Sequence, residues 1–413
     1  MFDGALIALV TVGYLAIVQE HRLGINKAAT ALFAAVLCWV LNFMKVFPQD
    51  NVMIGQLNVH LADISQVVFF LIGAMAVVEL IDAFHGFTII TNFIRTKDRR
   101  LLLWVTSGIT FFISSFLANM TVAIVMISLL RRLVPDRQER MIFVAMVVVA
   151  SNAGGAWTPI GDTTTMMLWI GGQVSAGSIV QKVFLPSLVS VLIPLMYCSS
   201  RVKKGPVIGS EENKKVSIIA GGRQVFFLGV GTMIVVPFLT TFTNIPPYMG
   251  MFLSLSIMWA LTDLIHQERH FLKVPHILGK IDMSSIFFFI GILLMISALE
   301  TAGILHNLAL GMDHYLKSKS LIACFMGIFS SVIDNVPLTA AMMGMYSLKT
   351  YLINAKLWHM TAYCAGTGGS ILIIGSAPGV IAMGMERINF TWYLKTVSLS
   401  VLVGYLVGFL FIR

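Results

Sequence analysis

Charged residues are scarce in this 413-residue chain: they make up 11% of the sequence, whereas 57% of the residues are hydrophobic. Soluble domains carry about 25% charged residues, so the composition excludes an ordinary soluble protein. It predicts an all-α polytopic membrane protein in a lipid bilayer. The formal net charge of +9 does not indicate nucleic-acid binding, because the basic residues lie in short loops between apolar runs.

Cysteine is also scarce. The four cysteines stand singly in apolar segments, without a CxxC pair or a histidine at ligand spacing, which argues against a disulfide framework or a zinc site. No nucleophile–base arrangement points to an enzyme, and no cofactor is expected. A basic leader with a small-residue cleavage site is missing, so residues 4–19 are predicted to be a retained span.

Ten apolar runs are long enough to cross a bilayer as helices. They lie at 4–19, 27–46, 64–83, 140–170, 179–199, 225–242, 247–265, 283–302, 357–384 and 391–412. Two further apolar segments, 101–131 and 320–348, break midway at polar tips. Each is predicted to be a re-entrant hairpin, a shape tolerated only where protein or water surrounds the turn.

If both termini lie outside, most of the 28 lysines and arginines fall in loops on the cytoplasmic side of the membrane. The positive-inside rule therefore predicts a multi-pass membrane protein with both termini outside. Counting the hairpins as full crossings leaves this sidedness unchanged, so charge does not decide whether they are re-entrant.

The run from 140 to 170 contains residues that an uninterrupted membrane helix avoids. Gly154, Gly155, Pro159 and Asp162 lie at its centre, so the helix is predicted to break there. Unwound backbone at mid-membrane is typical of ion sites in secondary transporters, and an ionisable residue there is a functional hypothesis by default. The alternative is a packing kink with a satisfied aspartate.

Landmarks of the first half recur in the same order in the second. The matched pairs are 69–73 with 287–291, Ser114-Ser115 with Ser330-Ser331, Asn119 with Asn335, and Gly154-Gly155 with Gly368-Gly369. Each half contains five spans, an odd number, so the sequence predicts two inverted repeats of five spans plus one re-entrant hairpin each. The repeats are 1–199 and 225–413, joined by a cytoplasmic linker at 200–224. The broken helices 140–170 and 357–384 would meet at the midplane.

The hairpin tips and broken helices supply carboxylate, amide and hydroxyl oxygens, which suit Na⁺ or Li⁺ better than a transition metal. Any single hydroxyl could instead bond to a helix carbonyl. The predicted cation- and proton-binding residues are Asp162, Asp334, Asn119, Asn335, Asn152, Thr158, Thr164, Thr165, Ser114, Ser115, Ser330, Ser331, Thr121 and Ser370.

The two central acids occupy crossed positions. Asp162 follows the first broken turn, where the second half has Ser376 or Ala377, and Asp334 lies in the second hairpin, where the first has Ala118. A carboxylate withdrawn from water beside a like charge holds a proton more readily, so a cation and a proton would compete for it.

Three other acids, Glu79, Asp82 and Glu300, are a candidate proton relay. Glu79 and Asp82 are three residues apart on one helical face. The alternative is that these side chains lie at the membrane interface.

Three motifs resemble NhaD-type sodium/proton antiporters of the ion transporter superfamily. They are Gly154 to Thr165, Ser331 to Leu338, and Glu79 to Asp82. The resemblance implies exchange of Na⁺ or Li⁺ for H⁺ by an elevator-like homodimeric carrier of the cell inner membrane, in which hairpins and broken helices move against a scaffold. This chain departs from the family at Ala118, where relatives usually have aspartate before the asparagine.

Two other transporters of this architecture remain alternatives: a sodium-coupled carboxylate or sulfate symporter, and a metalloid efflux carrier. The symporters typically have a Ser-Asn-Thr tip in both hairpins and Thr-Pro-Pro-Asn where this chain has Asp162 to Thr165. Two central acids would also repel an anionic substrate.

Overall fold

The computed structural model describes residues 2–46, 50–91, 96, 98–203, 205–206, 219, 221–265 and 273–412. This part of the chain is helical and contains no β-strand. The helices are α1 (Phe2–Val18), α2 (Glu20–Leu23), α3 (Lys27–Val46), α4 (Asp50–Ala83), α5 (Thr88–Thr91), α6 (Arg99–Ile113), α7 (Asn119–Leu133), α8 (Arg137–Gly155), α9 (Thr163–Ile170), α10 (Ala176–Arg201), α11 (Gly222–Thr243), α12 (Pro247–Ile265), α13 (Val274–Leu278), α14 (Met283–Thr301), α15 (Ile304–Leu316), α16 (Lys319–Phe329), α17 (Asn335–Met345), α18 (Lys356–Gly368), α19 (Ala377–Glu386), α20 (Phe390–Tyr393) and α21 (Leu399–Leu410).

Among the described residues, six helices are long and apolar enough to cross a membrane. They are Lys27–Lys45, Asn51–Ala83, Ala176–Arg201, Gly222–Thr243, Met283–Thr301 and Phe390–Leu410. This finding confirms the prediction of an all-α polytopic membrane protein for the described part of the chain.

The span predicted at 64–83 is only the second part of α4, which begins at Asp50 and runs for 34 residues. Residues 50–63 are more polar, yet they contain no proline to stop a helix. Met53 packs into the hydrophobic core.

The predicted linker 200–224 begins with the end of α10, and residues 204, 207–218 and 220 lie outside the described part.

Four helix interruptions occur where the sequence predicts breaks. The chain leaves helical geometry at 114–118 and 330–334, between the paired helices α6–α7 and α16–α17, and at 156–162 and 369–376, between α8–α9 and α18–α19. Of the four helices that restart after these interruptions, α9 alone begins with a side-chain cap, which Asp162 provides by accepting the Thr163 backbone N–H.

The paired helices pack on the broken helices in matching ways. The Ser114 hydroxyl donates to the Ser151 carbonyl at 2.6 Å, and the Ser330 hydroxyl donates to the Ala365 carbonyl at 3.1 Å. Glycines make the close backbone approach possible. A Cβ built on Gly154 would lie 2.2 Å from the Phe111 carbonyl oxygen, and one on Gly368 would lie 2.0 Å from that of Gly327.

We therefore expect Gly154→Ala to weaken the packing of α6 on α8. The new methyl group meets backbone rather than a movable side chain, and overpacking of this kind costs typically about 1–3 kcal/mol, occasionally more. Gly108→Ala on α6 is the matched control, because no atom lies within 4 Å of its added Cβ. Thermal unfolding in detergent should show a lower midpoint for Gly154→Ala alone. Equal midpoints in both variants would contradict this packing.

An arginine–glutamate cluster joins the ends of α7, α8 and α19. Glu386 is only 3% exposed, and its two carboxylate oxygens accept from Arg131 Nε at 2.6 Å and Arg140 Nε at 2.9 Å. Arg137 donates to the Glu386 carbonyl oxygen at 3.3 Å. Because a buried carboxylate needs paired charges, this cluster ties the first hairpin to the second broken helix.

A second group of helices packs beside these elements and is called the scaffold below. It comprises α1, α3, α4, α11, α12 and α14, which contact one another along α3–α14, α4–α12, α1–α3 and α11–α12. Polar side chains also join it: Trp39 Nε1 and Asn42 Nδ2 each donate to a carbonyl of α14 at 2.9 Å. The scaffold meets the broken and paired helices where α4 contacts α9 and α14 contacts α17.

Candidate functional site

Asp162 lies at the N-terminus of α9, where its extended backbone ends the unwound segment. The side chain accepts the Thr163 backbone N–H at 2.9 Å through Oδ1 and the Thr164 hydroxyl at 2.6 Å through Oδ2. A helix N-terminus favours negative charge, because its first amide groups lack partners within the helix. Asp162 is 4% exposed, so these contacts largely replace water.

Two asparagines approach Asp162 from opposite hairpins. Asn119 Nδ2 donates to Oδ1 at 3.1 Å, and Asn335 Nδ2 donates to Oδ2 at 3.1 Å. Each asparagine is the first residue of its helix, α7 or α17. The structure therefore brings together three predicted site residues that are up to 216 positions apart in sequence.

Asn152 extends this cluster to the second broken helix. Its Oδ1 accepts from Asn119 Nδ2 at 3.2 Å, and its Nδ2 donates to Ser370 Oγ at 2.8 Å and Ser376 Oγ at 2.7 Å. Ser370 was a predicted site residue, whereas Ser376 was not. A signal was available: Ser376 follows Gly375 in the repeat, as Asp162 follows Gly161.

The other predicted hydroxyls bond mainly to backbone. The acceptors are the carbonyls of Ser151 for Ser114, Phe112 for Ser115, Ser115 for Thr158, Asp162 for Thr165, Ala365 for Ser330 and Ile328 for Ser331. These hydroxyls hold the unwound segments in place around the cluster. Thr121 lies elsewhere, in the wall of a cavity beside Asp162.

Asp334 does not share a hydrogen bond with Asp162. It is half-buried just before α17, and Lys27 of α3 lies within electrostatic range. Its neighbour Asn335, rather than Asp334 itself, contacts the Asp162 carboxylate.

The three predicted relay acids do not form one chain of contacts. Glu79 lines the cavity beside Asp162, whose volume is about 60 Å³, whereas Asp82 and Glu300 are exposed near the C-terminal ends of α4 and α14. Glu300 has His60 and Asp63 within electrostatic range. Only Glu79 is thus placed to act directly with Asp162.

Within the described ranges, no three His, Cys, Asp or Glu residues are grouped closely enough to hold a metal ion. The cluster around Asp162 instead offers carboxylate, hydroxyl and amide groups. Hard oxygen donors of this kind fit alkali cations rather than soft metals.

Comparison with known proteins shows which family the chain resembles. Residues 14–361 match the citrate transporter family. Sodium/proton antiporter 1 of Arabidopsis thaliana is 45% identical over 98% of this chain and 71% of its own length. Sodium/proton antiporter 2 of the same plant is 44% identical over 96% of both chains, and the Na⁺/H⁺ antiporter NhaD of Vibrio cholerae is 27% identical over 98% of this chain and 90% of its own.

The chain belongs to the NhaD-type sodium/proton antiporter family. This confirms the resemblance drawn from the three motifs, and it makes the chain a membrane transporter rather than an enzyme. The NhaD-type motif from Gly154 to Thr165 contains Asp162 and the threonine that bonds to it.

Proposed function

We propose that this transporter exchanges Na⁺, or Li⁺, for H⁺ and that Asp162 binds the two in competition. The observation that carries the proposal is the convergence of two hairpin asparagines on one buried carboxylate. The names of its relatives, which are sodium/proton antiporters, point to the same exchange.

The cluster can rearrange to hold a cation. An asparagine side chain carries both an NH₂ donor and an oxygen acceptor, so rotation of the Asn119 or Asn335 amide would present oxygen to an ion at Asp162. Asn152, Thr164 and backbone carbonyls of the unwound segment would complete the oxygen cage. When the carboxylate is protonated, the amides remain its partners, and no cation is held.

Competition at one carboxylate couples the two fluxes, because Asp162 cannot hold a proton and a cation at the same time. The site must then face each side of the membrane in turn. We propose an elevator-like movement in which α6–α9 and α16–α19 move together against the scaffold of a homodimer. The contacts of Glu386 across α7, α8 and α19 support movement as one body.

We further propose that 1–199 and 225–413 are inverted repeats, with 200–224 on the cytoplasmic side and both termini outside the inner membrane. Matching contacts support the repeat. Gly154 and Gly368 face the Phe111 and Gly327 carbonyls, and Gly161 and Gly375 face backbone of Ser114 and Ser331. The re-entrant character of the two hairpins is part of the same proposal.

We propose an auxiliary role for Asp334. It lies in the same turn as Asn335, so its carboxylate would add negative charge beside the Asp162 site. Glu300 and Asp82, at the ends of the scaffold helices, would pass protons between the site and water.

Transport by the purified protein in liposomes containing a pH-sensitive dye tests the exchange. Na⁺, Li⁺, K⁺ and citrate are added separately against an acidic lumen. We expect lumenal pH to rise with Na⁺ or Li⁺ and not with K⁺ or with the potassium salt of citrate. Labelled citrate uptake that requires Na⁺, without this pH change, would favour the carboxylate symporter.

A further inference from the structure

A small cavity separates Asp162 from the scaffold helix α4. Its volume is about 60 Å³, which leaves room for water or a small cation, since about 10–15 Å³ suffices for one water molecule. The residues of its wall that bear on the argument are Glu79, Ala118, Asn119, Thr121, Asp162 and Thr163. One wall therefore belongs to α4 and the other to the first hairpin and broken helix.

Glu79 is a half-buried acid on α4, and its carboxylate has no hydrogen bond or ion pair with the described residues. The charged groups within electrostatic range are Asp82 of the same helix and Lys280, which follows α13. Taking a carboxylate out of water is costly unless a cation or a proton accompanies it. Glu79 lines the same cavity as Asp162, so a cation or proton exchanged at Asp162 would also be close to Glu79.

The second half of the chain has the opposite arrangement of acids. Where the first hairpin has Ala118, the second has Asp334. Aligning 69–73 with 287–291 places Ser297 of α14 opposite Glu79, and the Ser297 hydroxyl donates to the Leu294 carbonyl at 2.9 Å. The acid nearest the hairpin tip thus lies on the scaffold in the first half, as Glu79, and on the hairpin itself in the second half, as Asp334.

We propose that Glu79 supplies, from the scaffold wall of this cavity, the carboxylate that the first hairpin lacks at Ala118, and that it helps to bind the cation entering the Asp162 site. The inference rests on the proposed exchange at Asp162. Because Glu79 lies on the scaffold, its distance from Asp162 changes as the transport elements move. Glu79 therefore acts in the state in which the two walls meet.

A charge relocation tests the proposal. We expect Glu79→Gln to raise the Na⁺ concentration for half-maximal exchange by about tenfold, the equivalent of about 1.4 kcal/mol. Adding Ala118→Asp to Glu79→Gln returns a carboxylate to the cavity from its other wall. In this double variant, the Na⁺ concentration for half-maximal exchange should return to within about threefold of the wild-type concentration, the equivalent of about 0.7 kcal/mol.

The double variant Glu79→Gln with Ala118→Asn is the matched control, because it adds similar volume without a charge and should not recover. Monodisperse elution and an unchanged thermal midpoint establish that each variant is folded. Wild-type Na⁺ dependence in Glu79→Gln would overturn the proposal. Equal recovery with Asn and Asp at position 118, or recovery with neither, would also overturn it.

Asp162→Asn, measured in parallel, separates this inference from the proposed function. If Asp162→Asn abolishes exchange while Glu79→Gln behaves as wild type, the Glu79 inference fails and the exchange site stands. If Asp162→Asn exchanges Na⁺ for H⁺ as wild type does, the proposed function itself fails.

Discussion

Asp162→Asn is expected to abolish proton-coupled Na⁺ transport, lowering the rate by about a hundredfold or more, the equivalent of at least about 2.7 kcal/mol. Asparagine keeps the shape of the side chain, and its oxygen can still accept from Asn119 or Asn335. It cannot take up a proton or balance the charge of a bound cation. The assay is Na⁺-dependent pH change in proteoliposomes.

Asp263→Asn is the matched control for this substitution, because Asp263 is exposed on α12. It removes the same charge outside the cluster and should leave transport near the wild-type rate. Equal losses in both variants would point to a general effect of net charge. Undiminished coupling in Asp162→Asn would remove Asp162 from the exchange mechanism.

Replacing either hairpin asparagine with alanine is expected to have the next largest effect. Asn119→Ala or Asn335→Ala removes one of the two amides at 3.1 Å from Asp162, and with it a ligand for the cation. Losing a hydrogen bond to a charged group costs about 1.5–3 kcal/mol. We therefore expect Na⁺ affinity to fall by about ten- to a hundredfold in each variant.

Calorimetric Na⁺ binding measures this affinity directly. Asn307→Ala is the control, since Asn307 is exposed on α15. Folded protein should be recovered in similar amounts from all three variants, because truncation opens only a small space. Unchanged affinity in both hairpin variants would show that the amides cap or brace the turns without binding the ion.

The positions of the breaks and the main members of the cluster could be predicted from the sequence. Polar residues are costly in an apolar run unless they are used, so Asp162, Asn119 and Asn335 stood out individually. The proposed repeat matches Asn119 with Asn335, and both of these side chains contact Asp162.

The partners of individual side chains could not be predicted in the same way. Most of the hairpin hydroxyls bond to backbone carbonyls. Ser376, which was not among the predicted site residues, provides no side-chain cap for its own helix and instead contacts Asn152. Asp334 and Asn335 are adjacent, yet only Asn335 reaches Asp162. Which side chain of a turn faces inward depends on how separate helices pack, and spacing along one segment does not contain that information. The length of α4 was underestimated from the sequence because polar residues interrupt the apolar ones over 50–63, so this part does not read as a continuous apolar run.

The most direct test of competition at Asp162 is Na⁺ binding to the purified wild-type protein, measured by calorimetry across a pH series, with Asp162→Asn and Asp334→Asn alongside. If a proton and Na⁺ compete for the same carboxylate, the apparent Na⁺ affinity rises with pH by up to about tenfold per pH unit until the site is deprotonated. Binding should also release protons, visible as a heat that depends on the ionisation enthalpy of the buffer. We expect this dependence in wild type and its loss in Asp162→Asn; an affinity that is flat with pH in wild type, with no proton release, would contradict competition at Asp162.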